Sequence, residues 1–273
     1  MSLSAPTIRG RKRRHGSEPL VVVTAYDEPT TRLADAAGVD IILVGDSLAN
    51  VVLGQDSTHH VTVEQMCHHV RAAAAAHPKA HLVADMPWLS YHVDTADSVR
   101  NAASLIRAGA HSVKLEGGVV RLPAVRALLD AEIPVMGHLG LTPQSVLAFG
   151  GFKVQGKTNE AVEVLIADAL ALEAEGIYAV VIEAVPSIVG SRITDALEIP
   201  TIGIGAGPDT DGQILVLHDL LGLSNRKSPT FVRRYAEIGV MITEAIAHYA
   251  QDVRSGEFPS AAETYPNPEG MVN

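Results

Sequence analysis

The sequence predicts a single-domain α/β protein with the (β/α)8 architecture of a TIM barrel. The chain has 273 residues, and about 250 residues are typical of one such barrel. Short apolar segments alternate along the chain with segments of helical pattern. Ionisable side chains stand where several of the apolar segments end. Eight such alternations in a chain of this length favour a closed barrel over an open doubly wound sheet.

Eight apolar segments predict the strands of this barrel. The second, 40–46, shows the pattern most clearly, because Ile41-Ile42-Leu43-Val44 is typical of a strand buried on both faces. Gly45 then lets backbone or ligand approach closely. In chain order the predicted strands are 20–26, 40–46, 81–85, 112–116, 133–138, 180–184, 201–204 and 214–218.

Helical patterns fill most of the connections. Alanine, the strongest helix former, is repeated at 72–76. Gly176 directly follows a long amphipathic segment and is placed to end that helix. The predicted helices cover 28–37, 63–76, 97–108, 160–175 and 230–249.

The chain divides into three predicted parts, which are a basic N-terminal arm over 1–19, the barrel with its C-terminal helix over 20–255, and a loosely ordered tail over 256–273. The apolar run 20–23 after the arm is too short for the core of a signal peptide. We therefore expect an arm that is solvated or packed, rather than an address or an RNA contact. Its basic residues are Arg9, Arg11, Lys12, Arg13 and Arg14.

Composition limits the partners. The formal charge of −10 argues against nucleic acid or an anionic membrane as the main partner. No apolar run reaches the roughly 18 residues that a membrane span needs. The single Cys67 cannot form an internal disulfide and fits a reducing compartment. We expect a cytoplasmic protein.

Glycines late in the chain offer an alternative, a dinucleotide-binding fold. Gly203, Gly205 and Gly207 have the spacing G-x-G-x-G, and Pro208 stands where the third fingerprint glycine belongs. In a barrel, glycines after the seventh strand make a tight turn or an anion-binding backbone near the active-site face. The barrel interpretation is therefore preferred.

Polar side chains collect where the predicted strands end. Because the carboxyl ends of barrel strands meet at one mouth, we expect these side chains to converge there. Each alone also has a structural explanation, since an Asp can cap the next helix and a histidine can be satisfied in the core. Five strand ends in succession are hard to explain by capping. The candidate site residues are Asp46, Ser47, Asp85, Lys114, Glu116, His138 and Glu183.

The carboxylates among these residues suggest a hard metal ion. Asp46, Asp85 and Glu116 lie on adjacent predicted strands and offer the oxygen ligands that Mg²⁺ prefers. A zinc site is the alternative, but the candidate histidines lack the H-E-x-x-H spacing and a second cysteine. These histidines are His59, His60, His68 and His69.

Several longer motifs resemble the ketopantoate hydroxymethyltransferase family. The most specific is His138-Leu139-Gly140-Leu141-Thr142-Pro143-Gln144-Ser145, and the resemblance runs from about Thr24 to Tyr249. The other motifs are Val44-Gly45-Asp46-Ser47-Leu48, Gly54-Gln55-Asp56-Ser57-Thr58, Val113-Lys114-Leu115-Glu116-Gly117-Gly118, Gly150-Gly151-Phe152-Lys153-Val154-Gln155-Gly156, Ile202-Gly203-Ile204-Gly205-Ala206-Gly207 and Asp211-Gly212-Gln213-Ile214-Leu215-Val216.

The resemblance implies a (β/α)8 enzyme of pantothenate biosynthesis. Such enzymes transfer a hydroxymethyl group from 5,10-methylenetetrahydrofolate to 3-methyl-2-oxobutanoate through a metal-stabilised enolate, which gives 2-dehydropantoate, and they commonly form homodecamers. The implied small-molecule partners are thus a 2-oxo acid and a folate, with no nucleic acid and no membrane.

The resemblance also implies a role for each site residue. Mg²⁺ is bound by Asp46 and Asp85, with Glu116 acting directly or through water. The proton acceptor is Glu183. The substrate is contacted by Asp46, Ser47, Asp85, Lys114 and His138.

Departures from the family pattern are local. Ala49 stands where a glycine is common, and His59-His60 stand where Leu-Pro is common, so the loop after the second strand is expected to close differently. Two other functions stay open at this point: another Mg²⁺-dependent lyase of 2-oxo acids with a similar barrel, and a non-catalytic accessory or nucleic-acid-binding barrel.

Overall fold

Eight parallel strands close into a barrel, as the alternation predicts. The computed structural model describes residues 3–224 and 229–266, and each strand pairs with its sequence neighbour, β1 also pairing with β8. The strands are β1 Leu20–Thr24, β2 Ile41–Val44, β3 His81–Asp85, β4 Ser112–Glu116, β5 Val135–Gly140, β6 Ala179–Glu183, β7 Thr201–Ile204 and β8 Gly212–Leu215.

Alternate residues of these strands fill the interior. Leu20 and Val22 of β1, Ile41 and Leu43 of β2 and Val83 of β3 belong to one buried cluster. Their intervening neighbours point the other way, toward the surrounding helices. Both faces of each strand are therefore covered, which explains why the strands are apolar along their length.

The helices of the described residues follow most of the strands. They are α1 Ala5–Arg9, α2 Glu28–Ala36, α3 Leu48–Val51, α4 Val63–Ala74, α5 Thr95–Arg107, α6 Leu122–Asp130, α7 Val146–Phe149, α8 Asn159–Glu175, α9 Ser187–Ala196, α10 Leu217–Leu220 and α11 Ile238–Ser255. Local sequence explains several ends. The side chain of Thr62 caps α4 in a capping box with Gln65. Gly176, with a φ of 115°, ends α8 as predicted.

Five strands differ in their boundaries from the prediction. β1 and β2 are shorter than predicted, since they cover Leu20–Thr24 and Ile41–Val44. β5 begins at Val135 and continues to Gly140, two residues beyond the predicted end. β8 begins at Gly212, because Leu20 to Val23 of β1 pair with residues 212–215. The polar residues at 210–213 hid this start, and the apolar residues at 217 and 220 belong to α10 instead. β6 is displaced by one residue.

The last helix was predicted to begin too early. It begins at Ile238 and not at Thr230, and it ends at Ser255. The backbone N–H groups of Tyr235 and Ile238 donate to the carbonyls of Leu220 and Leu221, so they are not part of a continuous helical ladder. The longest helices that the sequence analysis did not assign are α6 and α9, which follow β4 and β6.

The described part of the N-terminal arm packs on the barrel. Ala5 and Ile8 of α1 are buried in the same cluster as the barrel interior. Lys12 is only 1% exposed, and its ammonium donates to Asp211 Oδ2 at 2.8 Å and to the carbonyls of Thr194 and Ile199. Since Asp211 precedes β8, the arm lies at the end of the barrel where the strands begin.

The described residues form two compact units. The first contains the barrel, with residues 3–217 and 229–232, and the second contains residues 218–224 and 233–266. The three-part division at residues 19 and 255 stays a prediction, and the end of the predicted tail, 267–273, lies outside the described residues. No helix in the described part of the chain is long and apolar enough to span a membrane.

Candidate active site

The candidate residues converge at the mouth where the barrel strands end. Together they line a cavity of about 120 Å³. The polar side chains come from β3, β4, β5 and β6 and from the two residues that follow Gly45 after β2. They are Asp46, Ser47, Asp85, Lys114, Glu116, His138 and Glu183. Apolar side chains complete the wall, among them Leu43 of β2, Val181 of β6, and Ile204, Ile214 and Val216 from the side of β7 and β8.

Asp46, Asp85 and Lys114 form one buried group. Asp85 Oδ2 accepts the backbone N–H of Asp46 at 2.9 Å, and Asp85 Oδ1 lies 2.8 Å from Lys114 Nζ. This second contact is a buried ion pair. Each of the three residues is at most 4% exposed. Burial strengthens their mutual attraction, because water does not screen it.

His138 links two further carboxylates. Its Nδ1 lies 3.2 Å from Glu116 Oε1, and its Nε2 lies 3.1 Å from Glu183 Oε2. Burial and Lys114 disfavour the charged imidazole, but Glu116 and Glu183 outweigh them and raise the pKa of His138 to about 9. The imidazolium form then lets both ring nitrogens donate toward carboxylates.

Charge is unevenly balanced in this cavity. Four carboxyl groups, on Asp46, Asp85, Glu116 and Glu183, face two cations, on Lys114 and His138. Burial raises the pKa of Asp46 well above its usual value, and the neighbouring Asp85 and Glu116 raise it further. Buried charges are normally paired or bound to metals, so a further cation would relieve this excess.

Local charges also set the ionisation states of Lys114 and Glu116. Burial would lower the pKa of Lys114, but Asp85, Glu116 and Asp46 raise it overall. Burial would raise the pKa of Glu116, but His138, Lys114 and the backbone N–H of Gln144 lower it. Lys114 is therefore a fixed cation and Glu116 a fixed anion at neutral pH.

Gln144 is a site residue that the sequence analysis did not identify. It follows β5 in a 3-10 turn over Pro143–Ser145, where no strand pattern places its side chain. Its Nε2 donates to Asp46 Oδ2 at 2.8 Å and to the carbonyl of Met86 at 3.0 Å. Its backbone N–H donates to Glu116 Oε2 at 3.0 Å. The only sequence signal was its place in the motif that follows His138.

Two tyrosines also support the site and were not predicted. Tyr26, after β1, pairs its hydroxyl with Ser47 Oγ at 2.9 Å. Tyr91 donates its hydroxyl to Gln144 Oε1 at 2.6 Å and accepts the backbone N–H of Glu116 at 3.1 Å. Tyr26 was predicted to end β1, but this strand ends at Thr24. Tyr91 lies outside all predicted strands, so alternation placed neither hydroxyl in the site.

Two of the four histidines of the zinc alternative bind separate backbone carbonyls. His59 Nε2 contacts the carbonyl of Gln144 at 2.8 Å, whereas His69 Nδ1 contacts the carbonyl of Tyr26 at 2.8 Å. Across residues 3–224 and 229–266, no group of three or more His, Cys, Asp or Glu side chains has the geometry of a complete metal site.

Asp46 and Asp85 nevertheless fit a hard divalent cation. Mg²⁺ retains several waters and commonly binds proteins through one or two carboxylates, so it needs no complete cage of protein ligands. Asp85 Oδ1 is buried, and its ion-pair partner Lys114 Nζ lies 2.8 Å away. Both oxygens of Glu116 already have partners, in His138 and Gln144. This donor set favours two direct aspartate ligands, with Glu116 behind them.

The family model for ketopantoate hydroxymethyltransferase matches residues 3–261 of the chain. The chain belongs to this family.

Relatives named as 3-methyl-2-oxobutanoate hydroxymethyltransferase match nearly the whole length. The relative from Koribacter versatilis is 50% identical over 98% of this chain and 90% of its own. The relative from Moorella thermoacetica is 51% identical over 96% of this chain and 97% of its own. The relative from Methylobacterium sp. (strain 4-46) is 53% identical over 92% and 88%. This ketopantoate hydroxymethyltransferase family member therefore matches these relatives over 92% to 98% of its length.

Solved structures confirm the barrel fold of this family member. A 2,3-dimethylmalate lyase, described as a member of the PEP mutase/isocitrate lyase superfamily, matches with a TM-score of 0.60 at 16% identity and covers 97% of this chain and 93% of its own. A phosphonopyruvate hydrolase matches with a TM-score of 0.61 at 12% identity and covers 98% and 92%. At these identities the likeness concerns the fold alone.

Proposed function

We propose that the chain transfers a hydroxymethyl group from 5,10-methylenetetrahydrofolate to 3-methyl-2-oxobutanoate, giving 2-dehydropantoate. The names of its relatives at about 50% identity support this reaction. The observation that carries the proposal is the convergence of Asp46, Asp85, Lys114 and Glu183 on one small cavity. A carbon acid such as a 2-oxo acid needs a base for its C3 proton and positive charge near its oxygens.

Mg²⁺ is the proposed metal, held by Asp46 and Asp85 with Glu116 acting through water. When bound, it would supply Lewis-acid polarisation of the 2-oxo group. Lys114, fixed beside Asp85 at 2.8 Å, adds a permanent positive charge for the substrate carboxylate. The hydroxyl of Ser47, held by Tyr26, adds a hydrogen-bonding group at the same side.

Glu183 is the proposed proton acceptor. It ends β6 on the side of the cavity opposite the aspartates in strand order, beside Val181 and Ile204. His138 holds its Oε2 and so limits the positions that the carboxylate can adopt. A five-carbon acid with its polar end toward Asp46 would present C3 to Glu183. The apolar wall would hold its branched end.

The test is exchange of the C3 proton of 3-methyl-2-oxobutanoate in D₂O, with Mg²⁺ and without folate. We expect the unmodified protein to exchange this proton. Glu183→Gln keeps the shape and removes the basicity, so it should lose exchange by on the order of 10² or more, as expected for a general base. Proton NMR follows the C3 signal. Glu198→Gln, a surface carboxylate paired with Arg14, is the control and should exchange normally.

Exchange by Glu183→Gln at the unmodified rate would assign the base to another residue, with His138 the next to test. Exchange without transfer from 5,10-methylenetetrahydrofolate would instead favour another enzyme acting on 2-oxo acids. The homodecamer, the cytoplasmic location and the absence of nucleic-acid and membrane partners stay predictions.

A further inference from the structure

Gln144 occupies the centre of a buried hydrogen-bond network between the proposed metal ligands. It is 5% exposed. Its two amide hydrogens go to Asp46 Oδ2 and to the carbonyl of Met86, and its Oε1 accepts from the hydroxyl of Tyr91. Both hydrogens of the amide nitrogen are thus used, and a 180° flip of the amide would place Oε1 against two acceptors, Asp46 Oδ2 and the carbonyl of Met86.

The backbone of the same residue contacts the other carboxylate. The Gln144 N–H donates to Glu116 Oε2, and its carbonyl lies 2.8 Å from His59 Nε2. His59 Nδ1 in turn lies 2.6 Å from Ser57 Oγ. A carbonyl can only accept, so His59 Nε2 carries the proton and Nδ1 accepts from Ser57. One residue therefore joins Asp46, Glu116 and the loop after β2.

These contacts decide which carboxylate oxygens remain for an ion. Asp46 Oδ2 is taken by the side chain of Gln144, and Glu116 Oε2 by its backbone. Glu116 Oε1 faces His138. The orientation of Asp46 is thus fixed by a group that is not itself a ligand, in the way that outer partners orient metal ligands in other proteins.

We propose that Gln144 is a positioning residue that orients Asp46 and Glu116 for Mg²⁺, held in place by Tyr91 from within the barrel mouth and by His59 from the loop after β2. The inference rests on the proposed function, because it takes Asp46 as a metal ligand. It assigns no chemical step to Gln144. It predicts that removal of the amide weakens metal binding even when the carboxylates remain.

The test measures Mg²⁺ binding directly by isothermal titration calorimetry, with Mn²⁺ and electron paramagnetic resonance as a second readout. Gln144→Leu removes the amide but keeps the backbone N–H to Glu116. We expect its dissociation constant for Mg²⁺ to rise about 10–100-fold, as for other outer partners of metal ligands. Tyr91→Phe removes the hydroxyl that donates to Gln144 Oε1 and accepts the backbone N–H of Glu116. We expect a rise in the same direction that is smaller.

Thr194→Val is the matched control. Thr194 is also buried, and its hydroxyl also makes two hydrogen bonds, to Gly190 O and Thr201 Oγ1, but it does not line the cavity. A general loss of stability would appear in Thr194→Val as well as in Gln144→Leu. A change in Mg²⁺ affinity should appear in Gln144→Leu and not in Thr194→Val. Where Gln144→Leu does not fold, Tyr91→Phe decides in the same assay.

The outcomes separate this inference from the proposed function. Unmodified protein that binds Mg²⁺, together with variants that bind it within twofold, overturns the role of Gln144 and leaves the proposed function standing. Unmodified protein that binds no Mg²⁺ overturns both. Weakened binding in Gln144→Leu and Tyr91→Phe but not in Thr194→Val supports the inference.

Discussion

Asp46 and Asp85 illustrate how single residues combine structure with binding. Asp85 accepts the backbone N–H of Asp46, so the loss of the Asp85 carboxylate also disturbs the position of Asp46. Both lie at the mouth, where side chains contribute less to the stability of a barrel than those in its interior layers. A change at either residue should therefore affect binding more than folding.

We predict that Asp46→Ala and Asp85→Ala each abolish Mg²⁺-dependent binding of 3-methyl-2-oxobutanoate while the fold is kept. A hard-cation site depends on the charge and number of its ligands, and each change removes one of two direct ligands. Calorimetry with and without Mg²⁺ measures the binding, and circular dichroism checks the fold. Undiminished metal-dependent binding in both variants would place the site elsewhere.

His81 is the residue from which a pH dependence of stability follows. It is 1% exposed, its Nδ1 contacts the carbonyl of Leu3 at 2.9 Å, and its Nε2 contacts Ser112 Oγ at 2.9 Å. Burial lowers the pKa of His81 to about 4, against the partial opposition of the Leu3 carbonyl. The imidazole is therefore neutral when folded, donates from Nδ1, and accepts the serine hydroxyl at Nε2.

We predict that His81 contributes stability that is complete above about pH 6.5 and is lost as the pH falls toward 4. The unfolded chain binds the proton first, so acid favours unfolding in this window, by on the order of 3 kcal/mol in total at 1.36 kcal/mol per pKa unit. Urea unfolding at several pH values measures it. His81→Leu should be less stable at pH 7 and should show a shallower loss between pH 6.5 and 4. An equal slope in both proteins would refute the assignment.

At the scale of elements, the N-terminal arm belongs to the structure of the barrel. Asp211 Oδ2 accepts from Lys12 Nζ and from the N–H and hydroxyl of Thr201, and Asp211 Oδ1 accepts from the N–H of Arg13. The arm is thus tied to β7 and to the start of β8. Among the basic residues of the arm, Lys12 stabilises this attachment by its ion pair with Asp211. The number of charges in the arm did not predict this role.

We predict that Lys12→Met destabilises the protein by about 3–5 kcal/mol, because it leaves the buried Asp211 carboxylate without its cation. Arg11→Met is the control. Arg11 contacts Asp40 at 3.4 Å with its side chain 28% exposed, so its loss should cost less than about 1 kcal/mol. Chemical denaturation measures both. Equal losses would show that Lys12 is not held as described.

Strands and their order could be predicted because each is a short apolar run with β-branched residues, as 41–44 shows. Helix boundaries were harder. Residues 230–237 have apolar side chains at helical spacing, yet Tyr235 and Ile238 make backbone hydrogen bonds to Leu220 and Leu221. A long-range bond of this kind leaves no mark in a local pattern. The same reason explains Tyr26, Tyr91 and Gln144, whose places depend on how loops fold over the mouth.

At the scale of the whole molecule, α11 exposes an apolar face. None of its described residues is buried. Ile242, Ile246, Tyr249 and Val253 are 46%, 61%, 56% and 47% exposed and lie three or four residues apart, on one face. An exposed apolar face of this kind commonly marks an interaction site.

We predict that the protein is larger in solution than 28.8 kDa, as the decamer implied by the family resemblance requires. Size-exclusion chromatography with light scattering measures the mass. Ile246→Glu should reduce the assembled fraction, whereas Glu244→Gln on the same helix should not. A monomeric unmodified protein would contradict the prediction.

The mouth of the barrel is divided between two kinds of wall, and this has a consequence for substrate choice. Ionisable groups come from the segment β2 to β6, whereas Ile204, Ile214 and Val216 of the β7 and β8 side are apolar. If the proposed reaction is correct, the charged half determines that a 2-oxo acid is deprotonated, and the aliphatic half determines which one fits. The two properties are then separable, so a smaller side chain at Ile204 would admit longer branched acids without altering the chemistry that acts on them.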